Sequence, residues 1–371
     1  MTDQRHHVVI AGGGVAALEA MIALHDLAED LVRVSLVAPQ ADFVYRPLSV
    51  AEPFCLGHAA RHSVAGLASE FGAGVVRATL AEVDAAGRRA VLSDGSTLTY
   101  DALLIAIGAR MEPAFAHAIT FGTPGAAEEL SGLLADLEDG YVRRVAFVLP
   151  SSAAWSLPLY ELALMTARDI WSAGVDDAQL ALVTPEARPL EVFGSEASAM
   201  VAELLAQQRI EFIGSVTPEV QQHSVLAGDR RLEVDRAVAM PVPVGPRIPG
   251  LPEAPGGFIP VDEHARVRGI AGVYAAGDAT DSPIKQGGLA AQQAVAAAEA
   301  IAAACGADLE PEPFRPLLRG LLLTGGHERW LRAPTGGTPA ATQASLEALW
   351  WPPAKIATRY LAPVLAGRDD G

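Results

Sequence analysis

Two short runs far apart in the chain carry the residue types and spacing that could do chemistry: His7-Val-Val-Ile-Ala-Gly-Gly-Gly-Val-Ala-Ala-Leu-Glu19 and Gly272-Val-Tyr-Ala-Ala-Gly-Asp-Ala279. In the first, Val8 to Ala11 is an apolar strand and Gly12 permits a tight turn. Gly14 lets backbone N–H groups approach a phosphate with no β-carbon in the way. Ala17 takes the third small position, so the spacing is G-x-G-x-x-A, a dinucleotide fingerprint when a helix follows with its positive end towards the pyrophosphate. Gly-rich turns also occur as plain connections between a strand and a helix, so the second run matters. There Gly277-Asp278 ends another apolar strand, where a carboxylate can accept a hydrogen bond from a chain of sugar-like hydroxyls.

Together the two runs resemble the two-dinucleotide-domain flavoproteins, the pyridine nucleotide-disulfide oxidoreductases, and the resemblance spans nearly the whole chain. It implies FAD held between the runs, with Gly12, Gly13, Gly14 and Ala17 at the pyrophosphate and Asp278, beside Gly277, at the ribityl chain. Gly287 and Gly288 would open a helix whose positive end faces the pyrimidine edge of the flavin. Tyr100-Asp-Ala-Leu-Leu-Ile-Ala-Ile-Gly-Ala109 is similar to the strand that returns the chain from the first FAD segment, which brings Gly108 to the cofactor, with Ile107 where Thr is commoner. Ala38 stands at the end of the second strand, where an acid usually meets the adenosine ribose. It cannot accept that bond, so either Asp42 or a backbone group substitutes, or FAD binds more weakly.

Electron-transfer chemistry in this branch needs a group beside the flavin ring. Pro283-Ile-Lys285 and the following Gln286-Gly-Gly-Leu-Ala-Ala-Gln-Gln293 resemble the segment close to the ring in sulfide:quinone reductases and type II NADH dehydrogenases. Lys285 could there stabilise anionic reduced flavin or a quinone oxyanion; the bland alternative is a surface lysine near a helix start. Tyr45, Arg46 and Cys55 lie in a stretch that passes near the flavin in these relatives. Cys55 reads either as a lone thiol at the ring or, the favoured expectation, as a small buried packing residue. The paired redox cysteines of the relatives are absent: the chain has two cysteines, Cys55 and Cys305. A persulfide mechanism built on such a pair is therefore poorly supported, although Leu157 to Met165 resembles the Tyr-Glu helix of sulfide:quinone reductases and flavocytochrome c sulfide dehydrogenases.

The elements needed to position these groups can be read from the pattern. Strand Val32 to Val37 follows the first helix, and a hairpin-like stretch covers Val75 to Leu98. A second βαβαβ unit follows: strand Val142 to Leu149, helix Leu157 to Ala173, strand Gln179 to Thr184, helix Glu196 to Gln208, strand Ile210 to Ile213. Its turn, Val148-Leu-Pro-Ser-Ser-Ala-Ala-Trp-Ser-Leu-Pro-Leu-Tyr-Glu161, holds no glycine, and Trp155 and Pro158 are bulky, so NAD(P)H binding in the usual pose is doubtful. Ser151, Ser152 and Ser156 offer hydroxyls, and Glu186 follows the next strand where a ribose-binding acid would sit. The expected fold is α/β: two Rossmann-like, doubly wound FAD/NAD(P)-binding domains with a small C-terminal region. The FAD domain is expected over 1–117 and 246–306, the second domain over 118–245 and the C-terminal region over 307–371.

Composition narrows the partners. With 44 acidic against 27 basic residues the formal charge is −17, which repels nucleic acid and anionic lipid. No basic leader pattern and no apolar run long enough to span a bilayer is legible, so a cytoplasmic protein is expected. His58 and His62 have the i, i+4 spacing of a helical metal pair without an accompanying carboxylate motif, and no metal site is assigned. The segment 346–365 mixes Trp350, Trp351, Lys355, Arg359 and Tyr360 with apolar residues, as an interfacial helix does. It either meets the inner face of a membrane peripherally or buries its apolar face on the FAD domain or a homodimer mate, the latter being favoured.

The expected function is an FAD-dependent oxidoreductase passing electrons or hydride from an unidentified small-molecule donor to a quinone-like or other acceptor. Two rivals remain: an NAD(P)H:acceptor reductase with a remodelled nucleotide site, and a catalytically reduced flavin-binding or interaction protein.

Overall fold

The computed structural model describes residues 5–334 and 342–369. His6–Ala11 is the centre of a five-stranded parallel sheet whose order is Val273–Ala275, Ala102–Ile105, His6–Ala11, Val32–Val37, Gly74–Val76. Both of its faces are covered, so the central strands are continuous apolar runs rather than alternating ones. Val8 and Ile10 pack on helices Val15–Ala28 and Gly287–Ala304, while Val9 and Ala11 face the antiparallel sheet Leu80–Asp84, Arg89–Leu92 and Thr97–Thr99. Alanines line both helices where they meet, among them Ala16, Ala20, Ala290, Ala294 and Ala297, which lets the backbones approach closely.

The second parallel sheet has the order Ile119–Thr120, Arg236–Ala239, Arg144–Val148, Gln179–Val183, Ile210–Ile213. Helices Ala126–Glu138, Leu157–Ser172 and Gly194–Gln207 supply its principal core, and a small antiparallel sheet of Pro218–Gln221, Ser224–Ala227 and Arg230–Glu233 packs on the other side. The two crossings between the sheets pair with each other, Arg110–Glu112 lying antiparallel to Val242–Val244. The doubly wound α/β architecture expected from the pattern is thus present twice.

The tail departs from expectation. Leu317–Leu322, Arg329–Pro334 and Gln343–Ser345 form a three-stranded antiparallel sheet against the Leu157–Ser172 and Gly287–Ala304 helices. The stretch expected as an interfacial helix over 346–365 is not helical until Leu361, where the Leu361–Asp369 helix begins. Pro352 and Pro353 explain this, since the first removes a helical N–H and restricts its neighbour, and the second repeats the effect. Lys355, Ile356 and Ala357 are buried, whereas Leu346 and Trp351 are exposed. No helix among the described residues is long and apolar enough to cross a membrane.

Candidate active site

Open α/β sheets bind ligands outside the carboxyl ends of their strands, and it is there that Gly12, Gly108 and Gly277 follow strands of the first sheet. Gly12 turns out of the first strand with φ +132°, and a β-carbon there would lie 2.1 Å from the Ala106 carbonyl oxygen. Gly14 differs: a β-carbon on it would meet nothing within 4 Å. It is the N-cap of the Val15–Ala28 helix, whose first turn has no side-chain cap and no acid, leaving its amide hydrogens and positive end open to an anion. Gly108, with φ +74°, likewise faces open space. Ala17 is fully buried and seats the helix on the sheet.

At the second run, Gly277 (φ +78°) is wedged between the helices, its would-be β-carbon 3.1 Å from Ala290 Cβ and 3.4 Å from Ala16 Cβ. Its amide donates to Gln293 Oε1 at 2.8 Å, and Thr280 Oγ1 donates to the same oxygen at 3.2 Å. This bracket holds the Gly277–Ala279 turn, and with it Asp278, at the strand ends. Among the described residues no protein group hydrogen-bonds the Asp278 carboxylate. Burial pushes its pKa up, and the Lys285 charge counters that. Lys285 is buried, donates from Nζ to the Thr280 carbonyl, and lies 3.8 Å from the centroid of the Phe258 ring. Desolvation lowers its pKa to about 8 against the pull of Asp278 and Asp281.

Other predicted positions stand differently. Gly287 and Gly288 do open the last helix of this unit, but Gln286 caps it, accepting from Leu289 N at 2.8 Å. A β-carbon on Gly287 would lie 2.9 Å from Ile356 Cδ1, so the tail packs directly on this helix start. Ala38 is buried and a β-carbon on Gly13 would sit 3.0 Å from its methyl and 2.7 Å from Gln40 Nε2. Gln40, not Asp42, is therefore the polar side chain beside the fingerprint turn; Asp42 is exposed in a short hairpin strand, Asp42–Val44. Arg46 is exposed. Cys55, expected as a buried packing residue, is exposed at φ +55°, where it ends the Arg46–Phe54 3₁₀ segment; Cys305 is the buried thiol. His62 lies in the Arg61–Ser63 strand and stacks on Phe43, so it forms no helical pair with His58.

The strand–helix turn of the second unit, 149–156, holds no glycine. Glu186, the residue in the ribose-acid position, is turned inward and buried. Its Oε1 accepts from Ser156 Oγ at 2.9 Å, and its Oε2 accepts from Tyr160 Oη at 2.6 Å and Thr184 Oγ1 at 3.2 Å. Ser156 is the N-cap of the Leu157–Ser172 helix and Tyr160 is in its first turns, so the carboxylate lies beside that helix start. Burial pushes the Glu186 pKa up and the three hydroxyls oppose it. Trp155 fills the turn itself, edge-on to Phe193 at 5.9 Å.

Three contacts that sequence reasoning missed tie the tail to the site. Glu19, in the fingerprint helix, accepts from the amides of Arg359 (2.7 Å), Tyr360 (3.0 Å) and Leu361 (2.7 Å). Tyr45 Oη accepts from Ile356 N at 2.7 Å. Lys355 Nζ pairs with the fully buried Glu161, which also accepts from Leu323 N at 2.8 Å. Buried acids inside helix patterns, such as Glu19 and Glu161, were the available signal.

The uncapped glycine-rich helix start and the Gly277-Asp278 turn lie side by side, Gly277 packing against Ala16 at the start of that helix. The pyridine nucleotide-disulphide oxidoreductase family matches residues 6–145 and 161–299. The chain belongs to this family. It is an FAD-dependent oxidoreductase, with FAD the group that the open Gly14 cradle and the unpaired Asp278 fit. Among solved structures it is similar to the sulfide:quinone oxidoreductase of Aquifex aeolicus, with TM-score 0.82 and 18% identity over 92% of this chain and 86% of that one. A ferredoxin reductase from Rhodopseudomonas palustris aligns with TM-score 0.66 and 17% identity over 91% and 86%. NDH2 of Plasmodium falciparum, in complex with NADH, aligns with TM-score 0.58 and 16% identity over 74% and 64%. At these identities the likeness is one of fold.

Proposed function

We propose that this oxidoreductase passes electrons from a small-molecule donor through FAD to a quinone-like acceptor, and that a pyridine nucleotide does not dock on its second unit in the usual pose. The observation that carries the second half is Glu186: the acid that would face a ribose is buried on Ser156, Tyr160 and Thr184. A nucleotide seated at the Leu157–Ser172 helix start would meet that carboxylate and Trp155 in place of an open glycine turn. The quinone-like acceptor is supported by the fold shared with a sulfide:quinone oxidoreductase. In this reading Gly12, Gly13, Gly14 and Ala17 hold the pyrophosphate, Gln40 lies towards the adenosine ribose, and Gly108, Gly277 and Asp278 hold the ribityl end. FAD, when bound, supplies the electron-carrying chemistry. Lys285 supplies positive charge at the site below about pH 8, which favours an anionic reduced state nearby. The exposed Trp351 and Leu346 give the tail two apolar side chains for peripheral contact with a membrane holding the acceptor.

The test is an anaerobic titration of the purified yellow protein, following the flavin band at about 450 nm. NADH, NADPH and sulfide are added separately, and the reduced protein is then mixed with a short-chain quinone. The expected result is no bleaching by either nicotinamide and reoxidation by quinone. Rapid bleaching by NADH or NADPH would sink the reading of the second unit. A reduced flavin that quinone leaves untouched would sink the acceptor.

A further inference from the structure

The tail sheet carries two arginines in an unusual position. Arg319 on Leu317–Leu322 lies directly opposite Arg332 on Arg329–Pro334 in the antiparallel register. Like charges facing each other across neighbouring strands repel, and sheets normally avoid the arrangement. Neither guanidinium has a hydrogen-bond or carboxylate partner among the described residues, in a chain with an acidic excess of −17. Both side chains are half-buried, and the Arg319 Nε is shut off from solvent with no acceptor. A guanidinium presents five donors in a rigid fork, so two of them side by side present a set of N–H groups with no acceptor among the described residues.

We propose that Arg319 and Arg332 form a binding site for a small oxyanion, a carboxylate, sulfate or phosphate group carried by a free small molecule. Bidentate geometry suits each of these groups, and an anion between the two guanidinium groups turns their repulsion into attraction. The site is joined to the flavin side of the molecule through a single residue: the Arg319 carbonyl accepts from Gln286 Nε2 at 3.2 Å, and Gln286 caps the helix that Gly287 and Gly288 open. Burial and the Arg332 charge both push the Arg319 pKa down, as expected of a cation lacking its counter-ion. That this oxyanion belongs to the donor or acceptor rests on the functional reading above; that the site binds one does not.

The experiment uses the holoprotein with sulfate, inorganic phosphate and benzoate as probes, against chloride at matched ionic strength. Binding is read by the fluorescence of Trp330, which shares the Arg332 face of the strand two residues away, and by thermal melting. Saturable binding of at least one probe is expected, weakened at least tenfold in Arg319→Met and in Arg332→Met, and unchanged in Arg230→Met, an arginine already paired with Glu211 on another sheet. In probe-free buffer Arg332→Met should melt at or above the wild-type temperature, because the unrelieved repulsion is gone. No saturable binding to wild type, or binding by the two variants as tight as that of wild type, overturns the proposal. So does co-sedimentation with phosphatidylglycerol vesicles combined with indifference to free phosphate, since the oxyanion would then be a lipid headgroup. None of these readouts depends on which donor reduces the flavin.

Discussion

Removing the Lys355 ammonium should destabilise the protein in a strongly pH-dependent way. The Lys355 side chain is 6% exposed and Glu161 is 0% exposed, with one Glu161 oxygen shared by Lys355 and Leu323 N and the other without a hydrogen-bond partner among the described residues. Burial already raises the Glu161 pKa, and Lys355 is the chief influence holding it down. In Lys355→Met the carboxylate must either remain charged without its partner, at about 3–5 kcal/mol, or fold in the protonated form. The second route costs about 1.4 kcal/mol for each pH unit above the ordinary carboxylate pKa of 4.5. That is about 3.4 kcal/mol at pH 7 and about 0.7 kcal/mol at pH 5. The sign follows from a folded pKa above the unfolded one: the protonated acid's contribution is intact below the unfolded value and is lost as pH rises towards the folded one. Urea denaturation of the FAD-loaded wild type and variant at pH 5 and pH 7 measures the difference, and Glu161→Leu/Lys355→Met should recover most of the loss. A penalty that is the same at both pH values, or a double variant no more stable than the single one, would refute the reasoning.

Two further predictions concern the cofactor site. Gly14→Leu should fold, because its side chain enters open space, yet purify with its flavin absorbance per protein reduced at least tenfold; Gly12→Ala, which collides with the Ala106 carbonyl, should instead fail to give soluble protein. A yellow Gly14→Leu protein would mean that FAD lies elsewhere. Lys285→Met should abolish a break near pH 8 in the flavin's reduction potential, with the wild-type potential falling as pH rises through that value and the ammonium loses its proton. An unchanged break in the variant would assign it to another group.

What the sequence made legible was what is local. The fingerprint, the Gly277-Asp278 turn and both strand–helix alternations rest on short-range backbone requirements, so the turns at Gly12 and Gly14 are legible from spacing, whereas the role expected of Asp278 came from the family resemblance. Gln40, the polar side chain beside Gly13, is not legible from the sequence, because the position at the second strand's end usually holds an acid and an amide does not advertise itself by type. Cys55 was misjudged because buried cysteine is the commoner case, whereas here it ends a 3₁₀ segment on the surface. The tail misled through composition: its aromatic and basic residues fit an interfacial helix, but Pro352-Pro353 already forbade one.

The remaining gap is the pairing of distant parts. Glu19 and Arg359 are 340 positions apart, Tyr45 and Ile356 311, Glu161 and Lys355 194. No periodicity reports such contacts, yet together they bind the Lys355–Leu361 strap to the fingerprint helix, to the stretch before Arg46 and to the second unit's Leu157–Ser172 helix. Two of the three anchors are fully buried carboxylates that meet donors of that strap, so burying either acid without the tail in place costs more. The tail therefore does more than cover apolar surface. It couples the fingerprint helix to the second unit, and a change that loosens it is expected to disturb both together even when every glycine and Asp278 is intact.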